Sequence, residues 1–164
     1  FKNSRTVRIL NHQALLLLYF HGGMDAVIEN LDKQIKAMPK TVAVVRLHDS
    51  GDFFKKWYIL AWMEVIKANP GILFYAYTKS HPMFEDIDQP INFRLSCSYG
   101  GIWDDEIKDR PNAKIFPTLD DRLRADYEDG NESDMPAILG VHNIGLVYHG
   151  GRNLTEEQKT NLLE

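Results

Sequence analysis

Four polar clusters hold the residue types that bind small molecules or act on them: His48-Asp49-Ser50-Gly51-Asp52, Thr78-Lys79-Ser80, Ser96 to Gly101, and His142-Asn143. The first gathers an imidazole and two carboxylates around a glycine that allows a tight turn. Imidazole gains or loses a proton near neutral pH, and carboxylates accept charge-assisted hydrogen bonds from cationic groups. The expected binding set is His48, Asp49, Ser50, Gly51, Asp52, Lys79, Ser96 and Ser98, with a small molecule as partner and no residue assigned a catalytic role. By ligand type His48, Asp49 and Asp52 suit a divalent metal, so a metal-assisted hydrolase is one alternative, although their spacing matches no strong metal motif. Arg46, if it points inward, needs a carboxylate partner, and Asp52 is a candidate. Cys97 lies in mid-strand, where a small buried hydrophobe is the simplest reading. Tyr148-His149-Gly150-Gly151-Arg152 has the makings of an anion-holding turn, yet a plain turn explains it as well. Ser98-Tyr99-Gly100-Gly101 lacks the glycine spacing of a dinucleotide loop.

The elements that must position these residues follow from periodicity. Thr41–Val45 is a short β-branched run that reads as a buried strand emptying into the His48–Asp52 loop. Phe54, Tyr58, Ala61, Trp62 and Val65 make a helical stripe over Phe54–Ala68, stopped by Asn69-Pro70-Gly71. Ile72–Tyr77 is a second strand. This β-α-β unit predicts a parallel pair, and ligands of such units sit beyond the carboxyl ends of the strands. Upstream, a helix runs from Asn3 or Ser4 to about Phe20 and breaks at His21-Gly22-Gly23. A second amphipathic helix carries Met24, Val27, Ile28, Leu31, Ile35 and Met38 as far as Pro39. Downstream, strands are expected at Asn92–Ser98, Ala113–Phe116, Ala137–Val141 and Gly145–Tyr148, with a helix at Leu119–Tyr127. Thr155-Glu156-Glu157-Gln158 is a capping box that starts a last helix. The order implies an α/β fold with a largely parallel sheet, partial (β/α) barrel-like, in a single domain over residues 1–164.

Composition narrows the class. At 164 residues with 44% hydrophobic and 26% charged content, the chain suits an ordinary soluble globular protein. The net charge of −4 does not indicate a broad nucleic-acid surface. One cysteine excludes an internal disulfide framework. The longest apolar run, Ala14–Phe20, is far below the ~20 residues that cross a bilayer, so no membrane partner is expected. A cytoplasmic location follows as an expectation. The chain opens on Phe1 and is expected to be a fragment of a longer protein; composition leaves its oligomeric state open.

Val45-Arg46-Leu47-His48-Asp49-Ser50-Gly51-Asp52-Phe53, Trp62, Phe74-Tyr75-Ala76-Tyr77-Thr78-Lys79-Ser80 and the Asn92, Ser96, Ser98-Tyr99-Gly100-Gly101 segment resemble the phage "gene product 88" family, whose function is uncharacterised. The resemblance covers roughly residues 1–101. That family in turn is similar to radical S-adenosylmethionine enzymes of the partial-barrel kind. The likeness implies that Ser50-Gly51-Asp52 receives the amino group of S-adenosylmethionine, with Asp52 as the carboxylate and the host cell's cytoplasm as the compartment. It implies a [4Fe–4S] cluster only if upstream cysteines supply its ligands. A non-catalytic phage module that binds host machinery on the same fold is the other alternative.

Overall fold

A computed structural model describes residues 2–148 together with Thr155, Glu157 and Thr160. The expected capping-box helix and the turn at 149–152 fall, apart from those single residues, outside the described residues. The first element, α1 (Lys2–Lys36), is two helices joined at Gly23, whose φ of 68° and ψ of −163° interrupt the helical path. The break expected at His21-Gly22-Gly23 is therefore real. That backbone region is open almost only to glycine, which has no Cβ to clash. Beyond the kink, Val27, Leu31 and Ile35 recur at the helical period and are buried. They pack with Tyr58, Ala61, Trp62 and Val65 of α2 (Lys56–Ala68) in one core.

The strands are β1 (Val44–Leu47), β2 (Leu73–Thr78), β3 (Phe93–Ser98), β4 (Asn112–Phe116), β5 (Glu128–Asp129) and β6 (Asn143–Val147). They form one six-stranded sheet in the order β1-β2-β3-β4-β6-β5. Every pairing is parallel. The sheet is open, with β1 and β5 at its edges, in keeping with a partial barrel-like α/β fold. As the sequence implied, β1, β2 and β3 are adjacent and parallel, with α2 packed on one face against Leu47, Phe74, Ala76 and Phe93. The side chain of Asn92 locks the end of α2 to the start of β3, donating from Nδ2 to the carbonyls of Ile66 at 3.0 Å and Ile72 at 3.0 Å. On the opposite face of the sheet lie Tyr75, Ala113 and Ile144, covered by Ala137 and Ile138.

The C-terminal third departs from expectation in three places. Ala137–Val141 is not a strand: the chain forms a short helix, α4 (Met135–Leu139). Pro136 sits in its first turn, and Gly140 follows its end at φ 75°, two signals that outweigh a short apolar run readable either way. The two-residue β5 was not expected at all, being too short and too exposed to carry an alternation. The helix α3 (Leu119–Arg124) starts where predicted, and the Thr118 hydroxyl caps it by accepting from Asp121 N–H. It ends earlier than the predicted Tyr127.

Candidate functional site

The loop after β1 is shaped by two residues with positive φ, His48 at 58° and Gly51 at 91°. For glycine this is cheap; for histidine it stores strain, which persists only where the surroundings impose it. His48 is held between aromatic rings, with Phe53 at 4.4 Å and Tyr58 at 5.6 Å between centroids. Its Nε2 is buried and meets no hydrogen-bonding partner among the described residues. Burial lowers the pKa of His48 from its ordinary 6.5, and the charge of Asp52 only partly opposes this. The ring is therefore neutral at pH 7, with one nitrogen a donor and the other an acceptor.

Asp52 has a different occupation. Its Oδ1 accepts from Phe53 N–H at 2.7 Å and from the Thr78 hydroxyl at 2.6 Å, and its Oδ2 accepts from Lys79 N–H at 2.7 Å. It does not cap α2, whose N-cap is Lys55 and has no side-chain bond. The carboxylate instead ties the exit of β1 to the exit of β2. The chain of ties continues outward: Lys79 Nζ donates to the carbonyl of Gly100 at 2.9 Å, and Asp104 accepts from the N–H groups of Gly100 and Gly101 at 2.7 and 2.9 Å. The three strand exits are thus stitched side by side, as a parallel sheet requires.

The eight expected site residues do not share one cavity. His48, Asp49, Ser50, Gly51 and Asp52 line a cleft of about 320 Å³ beside Arg8, Asn11, His12 and Leu15 of α1 and Phe54 and Tyr58. Lys79 meets this group only through its backbone bond to Asp52. Ser96 is buried and lines a second cavity, about 550 Å³, with Arg94, Arg110, Leu139 and Gly140. That cavity opens because β4 pairs with β3 only at Cys97 and Ser98, leaving the first half of β3 without a neighbour on that side. Ser98 is among the lining residues of neither.

Sequence reasoning missed the α1 wall of the cleft, Arg8, Asn11 and His12, because those residues read only as the polar side of a helix. It also missed the partner of Arg46. That guanidinium pairs not with Asp52 but with Asp134, at 2.9 Å, from the other face of the sheet. Asp134 also accepts from the hydroxyls of Tyr75 at 2.8 Å and Tyr77 at 3.2 Å. The guanidinium carbon of Arg46 stands 5.1 Å over the Tyr77 ring. Burial and the Asp134 carboxylate together push the Tyr75 phenol up to about 12 and raise Tyr77 as well. The alternation of Phe74-Tyr75-Ala76-Tyr77, in register with Arg46, was the available signal that this face is polar.

Among the described residues no group of three His, Cys, Asp or Glu side chains is arranged to hold a metal ion, and Asp52 already accepts three hydrogen bonds. The chain's own residues do not fit an iron–sulfur cluster, which needs at least three protein thiolates. The one cysteine, Cys97, is buried in β3, where burial pushes its thiol pKa up.

A family model described as Gene product 88 matches residues 1–160. The Gene 88 protein of Mycobacterium phage L5 is 45% identical over 40 residues, which is 24% of this chain and 17% of that protein. No solved structure matches the chain. No helix among the described residues is long and apolar enough to cross a membrane.

Proposed function

The chain belongs to the Gene product 88 family, and from that premise we propose that it is a small-molecule-binding domain with its site in the cleft between α1 and the β1–α2 loop. The observation that carries this reading is His48, a neutral imidazole in a strained backbone position with a buried, unpartnered Nε2 beside the cleft. Strain and an orphaned polar atom each cost on the order of 1–3 kcal/mol, and both are tolerated where a ligand makes use of them. Around it, Asp49 offers a carboxylate and Arg8 a cation on opposite walls. Such a pair suits the ammonium and carboxylate of an amino-acid head group, by charge-assisted hydrogen bonds of about 1.5–3 kcal/mol each. S-adenosylmethionine carries such a head group and is the ligand implied by the barrel resemblance. A volume of about 320 Å³ lies at the lower end of the range for small-molecule sites. In this reading Asp52 holds the loop in shape rather than meeting the ligand. No reaction is assigned.

Isothermal titration tests the proposal with S-adenosylmethionine, S-adenosylhomocysteine and methionine as probes. Binding is expected to the unaltered chain, and to weaken about tenfold or more in Asp49→Asn and in His48→Asn. Asparagine tolerates a positive φ, so the second change removes the imidazole without adding backbone strain. Failure of S-adenosylmethionine alone withdraws that ligand; failure of all three, or equal affinity in both variants, withdraws the cleft.

A further inference from the structure

The outer face of α1 before the kink is apolar and bare. Ile9, Leu10, Leu16, Leu17 and Phe20 are 48, 56, 40, 58 and 82% exposed. The opposite side of the same segment is already engaged, with Leu15 and Leu18 packed on the core, the His12 ring against Phe54 at 4.5 Å and Tyr19 stacked on Trp57 at 3.9 Å. Among the described residues nothing else covers the bare side chains. Ile9 and Leu16, Leu10 and Leu17, and Gln13 and Phe20 are each seven residues apart, so they keep one line along the helix, as a helix-pairing seam does. We propose that this face is a homodimer interface in which α1 pairs antiparallel with α1 of a second copy about a twofold axis at Gln13.

Two observations select a second copy and this direction. The five side chains with Val7, Gln13 and Ala14 expose on the order of 700 Å², close to the ~800 Å² that each partner contributes to a standard interface. A twofold pairing makes the same patch serve both sides, so no second surface is needed. The charges then set the direction. This segment carries Arg5 and Arg8 and no acidic residue before Asp25. A parallel pairing would bring the Arg5 of one copy beside the Arg5 of the other, whereas Arg8 faces the cleft. The antiparallel one moves the two Arg5 side chains to opposite ends, since an axis at Gln13 sets position 5 against position 21, and centres the one polar seam residue, Gln13, on its own mate. The pairing also fixes the helix whose Arg8, Asn11 and His12 line the cleft, though it stands without the ligand reading.

Light scattering after size exclusion tests it on the 164-residue chain. Loaded at about 100 μM, roughly a hundredfold above the micromolar weak end for interfaces of this size, the chain should elute at twice 18.9 kDa. Leu10→Glu with Leu17→Glu should give a species of 18.9 kDa with unchanged far-ultraviolet circular dichroism. A monomeric unaltered chain at that concentration overturns the proposal, whatever else covers the helix, and so does a folded double variant that still dimerises. Should the double variant not fold, cross-linking decides instead. In a Cys97→Ala background, Gln13→Cys should oxidise to a covalent dimer while Phe20→Cys should not. Equal cross-linking at both positions overturns the antiparallel pairing, and none at Gln13→Cys overturns the interface.

Discussion

Asp52 and His48 stand four residues apart and differ in what they have left to offer. Asp52 accepts from Phe53 N–H, Lys79 N–H and the Thr78 hydroxyl, and Thr78 in turn accepts from Ser80 N–H at 2.9 Å. Replacing the carboxylate with an amide turns one acceptor into a donor. The amide oxygen would keep Phe53 and Thr78, but the amide NH₂ would face the N–H of Lys79. Asp52→Asn is therefore expected to destabilise the fold by about 0.5–1.5 kcal/mol, the net worth of a hydrogen bond lost at a solvent-exposed donor. Urea unfolding of the variant checks this; an unchanged midpoint would mean that the link between the β1 and β2 exits is not made in solution. A simple capping role would predict almost no loss, because asparagine caps as well as aspartate. Asp49 makes no such bonds among the described residues, so its replacement reads ligand binding with less effect on the loop than that of Asp52.

Among the elements, α1 is the one whose two halves have different duties. The half after Gly23 supplies Val27, Leu31 and Ile35 to the core; the half before it walls the cleft and presents the bare apolar face. The bend between them depends on Gly23 reaching a φ of 68° with an extended ψ. A Cβ there would meet no neighbouring atom within 4 Å, so the obstacle is the backbone itself and not crowding. Gly23→Ala should cost about 1–3 kcal/mol if the bend is kept, a value read from the denaturation midpoint. An increase in stability would show that α1 prefers to run straight, since alanine is the better helix former by ~1 kcal/mol. At the other end of the chain, β3 and β4 touch through only two paired positions, Cys97 with Asn112 and Ser98 with Ala113. The second cavity follows from that shallow register.

For the whole molecule, pH is the sharpest probe of how the core is closed. His48 and His81 both have pKa values lowered from the ordinary 6.5, chiefly by burial, with the nearby Arg110 adding to the effect at His81. In the unfolded chain each takes a proton near pH 6.5, while in the folded chain each resists it. The unfolded state then binds more protons below that pH, so stability is full above it and falls as the pH drops toward the folded values. Urea midpoints should therefore decline from pH 7.5 to about 5.5, ahead of the range in which carboxylates titrate. His48→Asn combined with His81→Gln should flatten that decline; a slope of equal size in the double variant would place its origin elsewhere.

Much of this architecture was legible from local pattern. The stripe of Phe54, Tyr58, Ala61, Trp62 and Val65 and the runs Ile72–Tyr77 and Asn92–Ser98 identified α2, β2 and β3. Their alternation required parallel neighbours, because a strand–helix–strand segment can bury its apolar faces in few other ways. The His48–Asp52 loop was recognisable as a strand exit for the same reason. Period and turn chemistry act over a few residues, and there the chain itself supplies both partners. The pairing of Arg46 with Asp134 joins positions 88 apart, and nothing in either neighbourhood names the other. The run Ala137–Val141 was expected as a strand, and Pro136 and Gly140 instead bound a short helix over Met135–Leu139. The cleft needed α1 laid beside the β1–α2 loop, and the separation of Ser96 from His48 needed the exact register of β3 against β4. Such contacts are settled by how packed layers meet, where many distant side chains compete for one volume and only the folded arrangement decides which of them touch.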